Sequence, residues 1–136
     1  MSIDYGTKRV GVAVTDPLQI IANGLETIPT TEIFNFLKQY LSEEVVVEMV
    51  VGMPYHLDGN PTFLSPIIKT FIKKVNKQFP DLKVVTQDER FTSSDAKKII
   101  LQSGAKKKKR RDKSLVDKIS AVLILQEYLE TRRGGV

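Results

Sequence analysis

The sequence predicts one α/β domain. Its mixed five-stranded sheet has antiparallel hairpin strands first and parallel strands after them, with helices on both faces. The first part of the chain favours hairpin strands because apolar residues alternate with other residues over short runs. Helical repeats then alternate with apolar runs, an order typical of parallel strands joined by helices. The length of 136 residues suits a single hydrophobic core, and we therefore treat residues 1–136 as one domain.

Three strands are predicted before the first helix, at residues 3–5, 10–14 and 24–28. In the first strand, Asp4 points to the opposite face from its apolar neighbours, because side chains alternate along a strand. The elements predicted after these strands are a helix at 31–41 with Thr30 or Thr31 as N-cap, a strand at 45–53, a helix at 62–79, a strand at 82–86, a helix that begins at Thr92 and ends at Gly104, a basic loop at 104–113, a helix at 114–131 and a frayed tail at 132–136.

The composition excludes several classes of site. The chain has no Cys, which excludes disulfides, thiol nucleophiles and Cys-ligated metals. Its single histidine, His56, excludes His-rich metal sites and argues against a Ser-His-Asp triad. No apolar run is long enough to predict a membrane-spanning helix. The N-terminal residues lack the basic and apolar regions of a signal peptide, so we expect a cytoplasmic protein with no membrane partner.

The positive charge of the chain is concentrated in one segment. The net charge is +5, and residues 106–113 contain seven basic side chains and one acid. The rest of the chain is therefore close to neutral. A run of this kind is either a solvated loop or an arm that contacts the phosphates of a nucleic acid. The basic side chains are those of Lys106, Lys107, Lys108, Lys109, Arg110, Arg111 and Lys113.

Three acidic residues lie at positions that suggest a shared site. Asp4 is in the first strand, Glu89 follows the predicted strand at 82–86, and Asp117 is near the start of the last helix. Two carboxylates about 4 Å apart repel by about 4 kcal/mol at an effective dielectric constant near 20, so three together require a cation. Without Cys or nearby His, that cation is expected to be Mg²⁺ or Mn²⁺, which activates water for phosphoryl transfer.

Each of these acids also has a structural alternative. Asp4 could end a strand and cap a turn. Glu89 could pair with Arg90 or Lys97 at the surface. Asp117 could complete the cap of the last helix together with Ser114. The spacing alone leaves these alternatives open.

Four segments spread over nearly the whole chain form a recognisable pattern. They are DYGTKRVGVAV at 4–14, VVGMP at 50–54, DERFT at 88–92, and Val-Asp at 116–117 followed by Ala121 and Leu-Gln at 125–126. This pattern resembles the YqgF-type family of pre-16S rRNA nucleases, which are also called Holliday-junction-resolvase-like proteins. The resemblance implies an RNase H-like fold and a bacterial cytoplasmic nuclease that acts on structured nucleic acid.

The resemblance also implies roles for individual residues. Asp4, Glu89 and Asp117 match the three acidic metal-site positions of the family, and the basic run matches its basic loop before the last helix. We expect Asp4 to bridge two cations, with Glu89 and Asp117 each holding one. Lys8 and Arg9 could contact the substrate phosphate, or they could be solvated side chains beside a hairpin.

Several functions remain compatible with the sequence. Processing of the 5′ end of the 16S rRNA precursor is the first expectation, and resolution of branched DNA is the second. A non-catalytic nucleic-acid-binding module with the same fold is a third. Residues 3–8 also resemble the first phosphate loop of the actin, hexokinase and Hsp70 superfamily, although those proteins need two such subdomains. We expect a monomer or a weak homodimer.

Overall fold

The computed structural model describes residues 1–18, 22–89 and 113–134, and these residues form a layered α/β structure. The Thr92 helix and the basic side chains from Lys106 to Arg111 lie outside the described residues. The described elements are β1 (Ser2–Tyr5), β2 (Arg9–Thr15), β3 (Ala22–Pro29), a 3₁₀ turn (Thr30–Glu32), α1 (Ile33–Glu43), β4 (Glu48–Met53), α2 (Leu64–Gln78), β5 (Lys83–Asp88) and α3 (Lys113–Gly134).

The strands form a five-stranded mixed sheet in the order β3-β2-β1-β4-β5. β2 pairs antiparallel with both β1 and β3, whereas β4 pairs parallel with both β1 and β5. The carboxyl ends of β1, β4 and β5 therefore lie at the same edge of the sheet. This arrangement confirms the predicted order of antiparallel strands followed by parallel ones.

Helices cover both faces of the sheet, each over its own apolar core. Val51 belongs to the core that includes residues of α1 and α2, whereas its neighbour Val50 belongs to the core under α3. Successive residues of a strand point to opposite faces, and the central strand β4 is accordingly apolar throughout its middle. The predicted α/β class with helices on both faces is confirmed.

Small residues let α3 approach the sheet closely. The hydroxyl of Ser2 donates a hydrogen bond of 2.6 Å to the backbone oxygen of Ala121 on α3. A Cβ atom added at Gly11 would overlap the backbone carbonyl of Asp117, and one added at Gly24 would lie 2.7 Å from Cδ of Lys118. The first turns of α3 therefore rest almost directly on the backbone of β2 and on that of β3.

Two predictions for the first helix and the strand after it were wrong in detail. The predicted strand at 45–53 begins only at Glu48, and Val45, the first residue of the predicted strand, is 95% exposed. No threonine side chain caps α1, because the 3₁₀ turn precedes it and the hydroxyl of Thr30 instead donates to the backbone oxygen of Gly6. Thr30 thus ties the start of α1 to the turn between β1 and β2.

The last helix also differs from its prediction. It extends to Gly134, beyond the predicted end at Thr131. Its buried face comprises Ser120, Ala121, Ile124, Leu125 and Leu129, whereas Ile119 and Leu123, which are also apolar, are only partly buried. Among the described helices, none is long and apolar enough to cross a membrane.

Candidate active site

Asp4 and Glu89 meet at the carboxyl edge of the parallel strands. Asp4 lies in β1 on the face that α3 covers, as the alternation in the sequence predicted. Glu89 comes directly after β5, where its backbone N–H donates to the oxygen of Met53 on β4 (3.1 Å). The two carboxyl groups share a hydrogen bond across β4. Two of the three predicted acids are therefore in direct contact.

Gly52 makes room for this contact. The register places Ile3 beside Val51, so Asp4 lies level with Gly52 on the adjacent strand. A Cβ atom at position 52 would lie 2.8 Å from both Cδ and Oε2 of Glu89, and 2.6 Å from Cδ1 of Ile124. Glu89 reaches Asp4 because residue 52 has no side chain. This role of Gly52 depends on a contact between residues distant in sequence, so no local pattern indicates it.

Burial, together with the contact between the two carboxyl groups, determines which acid keeps a proton. Burial raises the pKa of Asp4 to about 7; the charge of Asp117 adds to the rise, and the hydrogen bond with Glu89 opposes it. Burial raises the pKa of Glu89 to about 9, and the charge of Asp4, the hydrogen bond to Asp4 and the charge of Asp88 add to the rise. Near neutral pH, Glu89 is therefore the protonated donor and Asp4 the acceptor.

Asp117 approaches the pair from α3 but has a different partner. Its negative charge raises the pKa of Asp4, so it lies close enough to interact. Its Oδ2 accepts a hydrogen bond of 2.8 Å from Nε of Arg9, which forms an ion pair. Because α3 begins at Lys113, Asp117 is not in the first turn, and the suggested capping role with Ser114 is wrong.

Gly11 determines where the backbone of Asp117 lies. It is paired with Asp4 in the register between β1 and β2, and the missing side chain admits the Asp117 carbonyl. Asp4 and Asp117 are thus held against the same point of the sheet. A glycine among the valines of a strand is the sequence signal that could have indicated this close backbone approach.

Arg9 and Lys8 lie beside Asp4 and Asp117, in a shallow cavity of about 200 Å³. The backbone N–H of Gly6 donates to the oxygen of Arg9 (2.9 Å), which holds the turn that presents both cations. Lys8 is exposed and Arg9 is half-buried. The residues lining the cavity are Asp4, Gly6, Thr7, Lys8, Arg9, Phe63, Leu64 and Asp117. A second, larger cavity of about 490 Å³ lies at the opposite edge of the sheet, and none of the three acids lines it.

Some of the remaining residues predicted for the site lie outside the described ranges, and others lie within them. The cations from Lys106 to Arg111 are outside the described residues, and Lys113 begins α3. His56 is exposed in a loop, where its backbone N–H donates to the backbone oxygen of Asn60. Within the described ranges, no three Asp, Glu or His side chains are grouped closely enough to hold a metal ion. The observed arrangement is a carboxyl pair with a third carboxylate drawn toward Arg9.

The chemistry of the donors nevertheless fits a hard divalent cation. Asp4 and Glu89 supply oxygen ligands only, which Mg²⁺ and Mn²⁺ prefer. Burial, with the nearby carboxylates adding to it, raises the pKa of both groups, so the described residues stabilise the ionised forms of Asp4 and Glu89 poorly. Asp4 and Glu89 would hold such a cation in their ionised forms, and the cation would supply positive charge at this edge of the sheet. Asp117 would be available as a further ligand if its ion pair with Arg9 opened.

Comparison with known proteins decides the family. The profile of the RuvX family, described as Holliday junction resolvase, matches residues 1–131. The chain belongs to the RuvX family. A Flavobacterium johnsoniae protein named "Putative pre-16S rRNA nuclease" is 47% identical over 133 residues, which cover 98% of this chain and 96% of that protein. A Christiangramia forsetii protein with the same name is 48% identical over 129 residues, covering 95% and 96% of the two chains.

Membership of the RuvX family confirms the resemblance drawn from the four sequence segments. It agrees with the observed mixed sheet and with the expectation of an RNase H-like fold. It also supports the assignment of this RuvX member as a hydrolase of the nuclease class.

Proposed function

We propose that this RuvX member is a metal-dependent endonuclease that hydrolyses phosphodiester bonds in structured nucleic acid, and that its substrate is the 5′ end of the 16S rRNA precursor. The names of the relatives support the RNA substrate. The observation that supports the chemistry is the meeting of two carboxyl groups from different strands, with a third carboxylate beside them. The cytoplasm, where ribosomes are assembled, is the expected location.

Asp4, Glu89 and Asp117 are the residues that would hold Mg²⁺ or Mn²⁺. When bound, the cation supplies Lewis acidity, which makes water a nucleophile near neutral pH and stabilises the charge on the leaving oxygen. The protein contributes the placement of the ligands. Asp4 is fixed in a central strand, and Glu89 is fixed by its backbone hydrogen bond to β4. A rigid ligand set of this kind reduces the reorganisation needed during the reaction.

Lys8 and Arg9 are the residues expected to bind the substrate phosphate. Both line the cavity that contains Asp4 and Asp117. Arg9 offers a planar guanidinium group that can contact phosphate oxygens in pairs, and it would be available to do so if its ion pair with Asp117 opened. The basic run at 106–113 would add contacts to the backbone of the nucleic acid without reading its sequence.

Cleavage assays on isosteric variants test the proposal. Asp4→Asn, Glu89→Gln and Asp117→Asn should each lower the rate by at least 10²-fold on a 16S precursor fragment, while the circular dichroism spectrum stays unchanged. Lys69→Gln alters an exposed cation on α2 and serves as the control. Wild-type activity in any of the three variants would remove that residue from the mechanism. Activity that persists in EDTA would refute the metal dependence.

Resolution of Holliday junctions is the second candidate, because the family is described by that activity. Symmetric cleavage of a four-way junction requires two active sites, so it would be accompanied by a stable dimer. A synthetic junction and the precursor fragment should be compared in one buffer. Preferential cleavage of the junction would favour the DNA substrate, and binding without cleavage of either would indicate a non-catalytic module.

A further inference from the structure

One aromatic side chain of the candidate site is exposed. Phe63 is 74% exposed, whereas Phe34, Phe36, Phe71 and Phe79 belong to the core under α1 and α2 or pack against it. A single exposed apolar residue is common on protein surfaces and needs no explanation by itself. The position of Phe63 is what distinguishes it, because it lines the cavity that also contains Asp4, Asp117 and Arg9.

The backbone that carries Phe63 is held at a defined place. Phe63 immediately precedes α2, whose residues Ile68 and Phe71 are buried in the core. The preceding loop is closed by a bridge between Tyr55 and Pro61. The residues after Phe63 are tied back to Thr62, since Leu64 N–H donates to its hydroxyl and Ser65 N–H to its carbonyl. The loop therefore loses little conformational freedom when a ligand meets the ring.

The groups around the cavity match the parts of one nucleotide. Lys8 and Arg9 suit a phosphate, the carboxylates suit the reacting centre, and the flat exposed ring of Phe63 suits the face of a nucleobase. In a continuous duplex, both faces of each base are covered by its neighbours. Only an unpaired or extruded base exposes a face to a protein ring.

We propose that Phe63 stacks on an unpaired nucleobase next to the scissile phosphate, so that the enzyme selects substrates with an unpaired nucleotide at the cleavage point. This inference rests on the proposed nuclease function and narrows its substrate class. It applies to RNA and to DNA alike, because both offer the same base faces. Phe63 is thereby a specificity residue, and it takes no part in the bond-breaking step.

The test measures binding in EDTA, so that cleavage does not interfere. The probe is an RNA hairpin with one bulged 2-aminopurine, compared with a fully paired hairpin of the same length and with a DNA version of the bulged hairpin. Stacking on a protein ring quenches 2-aminopurine fluorescence. Wild-type protein should quench the bulged probes, and Phe63→Leu should abolish the quenching and weaken their binding about tenfold.

Three controls separate stacking from other effects. Phe63→Tyr keeps a ring and should retain both quenching and affinity. Val45→Ala alters another exposed apolar residue, which lines the cavity at the opposite edge of the sheet, and should match the wild type. The paired hairpin should bind wild type and Phe63→Leu equally.

The outcomes distinguish this inference from the function on which it rests. Equal quenching and equal affinity of wild type and Phe63→Leu on the bulged probes would overturn it, as would an equal loss of binding on the paired hairpin. Quenching that depends on Phe63, together with no cleavage in Mg²⁺ or Mn²⁺, would support the base contact and refute the nuclease activity. Cleavage in Mg²⁺ or Mn²⁺, together with no effect of Phe63→Leu on the bulged probes, would support the nuclease activity and refute the base contact.

Discussion

Replacing Glu89 with Gln should stabilise the metal-free protein at neutral and alkaline pH. In the folded chain, Glu89 is the proton donor to Asp4, and burial keeps its pKa near 9. Glutamine retains an N–H donor for Asp4 but carries no charge at any pH. The variant therefore preserves the hydrogen bond and removes the cost of ionising a second carboxyl group between the strands.

The size of the effect follows from proton linkage. The pKa of glutamate is near 4.5 in the unfolded chain and about 9 in the folded one. Between these values the folded protein holds an extra proton, so the free energy of unfolding falls as the pH rises. One proton corresponds to about 1.4 kcal/mol per pH unit, and the loss from pH 6 to pH 8 is therefore about 3 kcal/mol. Asp4 adds to this loss over a window that ends near pH 7.

Urea unfolding in EDTA at pH 6, 7 and 8 measures this difference. The unfolding free energy of Glu89→Gln minus that of the wild type should grow by about 3 kcal/mol over the series. Glu130→Gln removes an exposed carboxylate of α3 and is the control, with a difference that stays within about 0.5 kcal/mol of zero. If the unfolding free energies of the wild type and Glu89→Gln change equally with pH, the Glu89 carboxyl group does not hold an extra proton in the folded protein. The protonation assigned to the carboxyl pair would then be wrong.

Three further predictions follow from the same contacts. Mn²⁺ at about 100 times its Kd should raise the unfolding free energy of the wild type by about 3 kcal/mol. Thermal melts of both proteins, with and without Mn²⁺, should show this stabilisation in the wild type and little or none in Glu89→Gln. Gly52→Ala should lower the free energy of unfolding by about 1–3 kcal/mol, because the added methyl group overpacks against Glu89 and Ile124, and it should reduce the cleavage rate. An unchanged unfolding free energy and an unchanged cleavage rate would contradict the packing described at Gly52. Arg9→Gln should tighten Mn²⁺ binding in calorimetry, because Asp117 loses its competing cation, whereas weaker binding would mean that Arg9 supports the metal ligands.

Much of the fold could be predicted because the relevant signals are local. Alternation in β2 and helical spacing in α2 depend on neighbours a few residues apart, and both elements were found at nearly the predicted positions. The errors arose where local patterns are ambiguous. Apolar residues occur around all sides of α3, so its buried face could not be read from spacing. Val45 is apolar but precedes the paired part of β4, and it remains exposed.

The candidate site could be predicted only in part, because its contacts are distant in sequence. The three acids were selected by their positions in the predicted elements and then matched to the pattern of a family, and the structure brings Glu89 to Asp4. The ion pair between Arg9 and Asp117 joins residues 108 positions apart, and no pattern in either segment indicates it. The role of Gly52 is equally hidden, since a glycine near the end of a strand is compatible with a bend, a bulge or a close approach.

The position of Asp117 explains how one residue can serve two partners. Its backbone carbonyl rests against Gly11, so α3 cannot shift along the sheet at this point without a clash or a gap. Its side chain is only partly buried, and one ion pair with the half-buried Arg9 holds it in place. An ion pair that is partly exposed to water contributes about 1 kcal/mol or less. Coordination of a divalent cation can exceed that energy, so metal binding at the acids could offset the loss of the ion pair between Asp117 and Arg9.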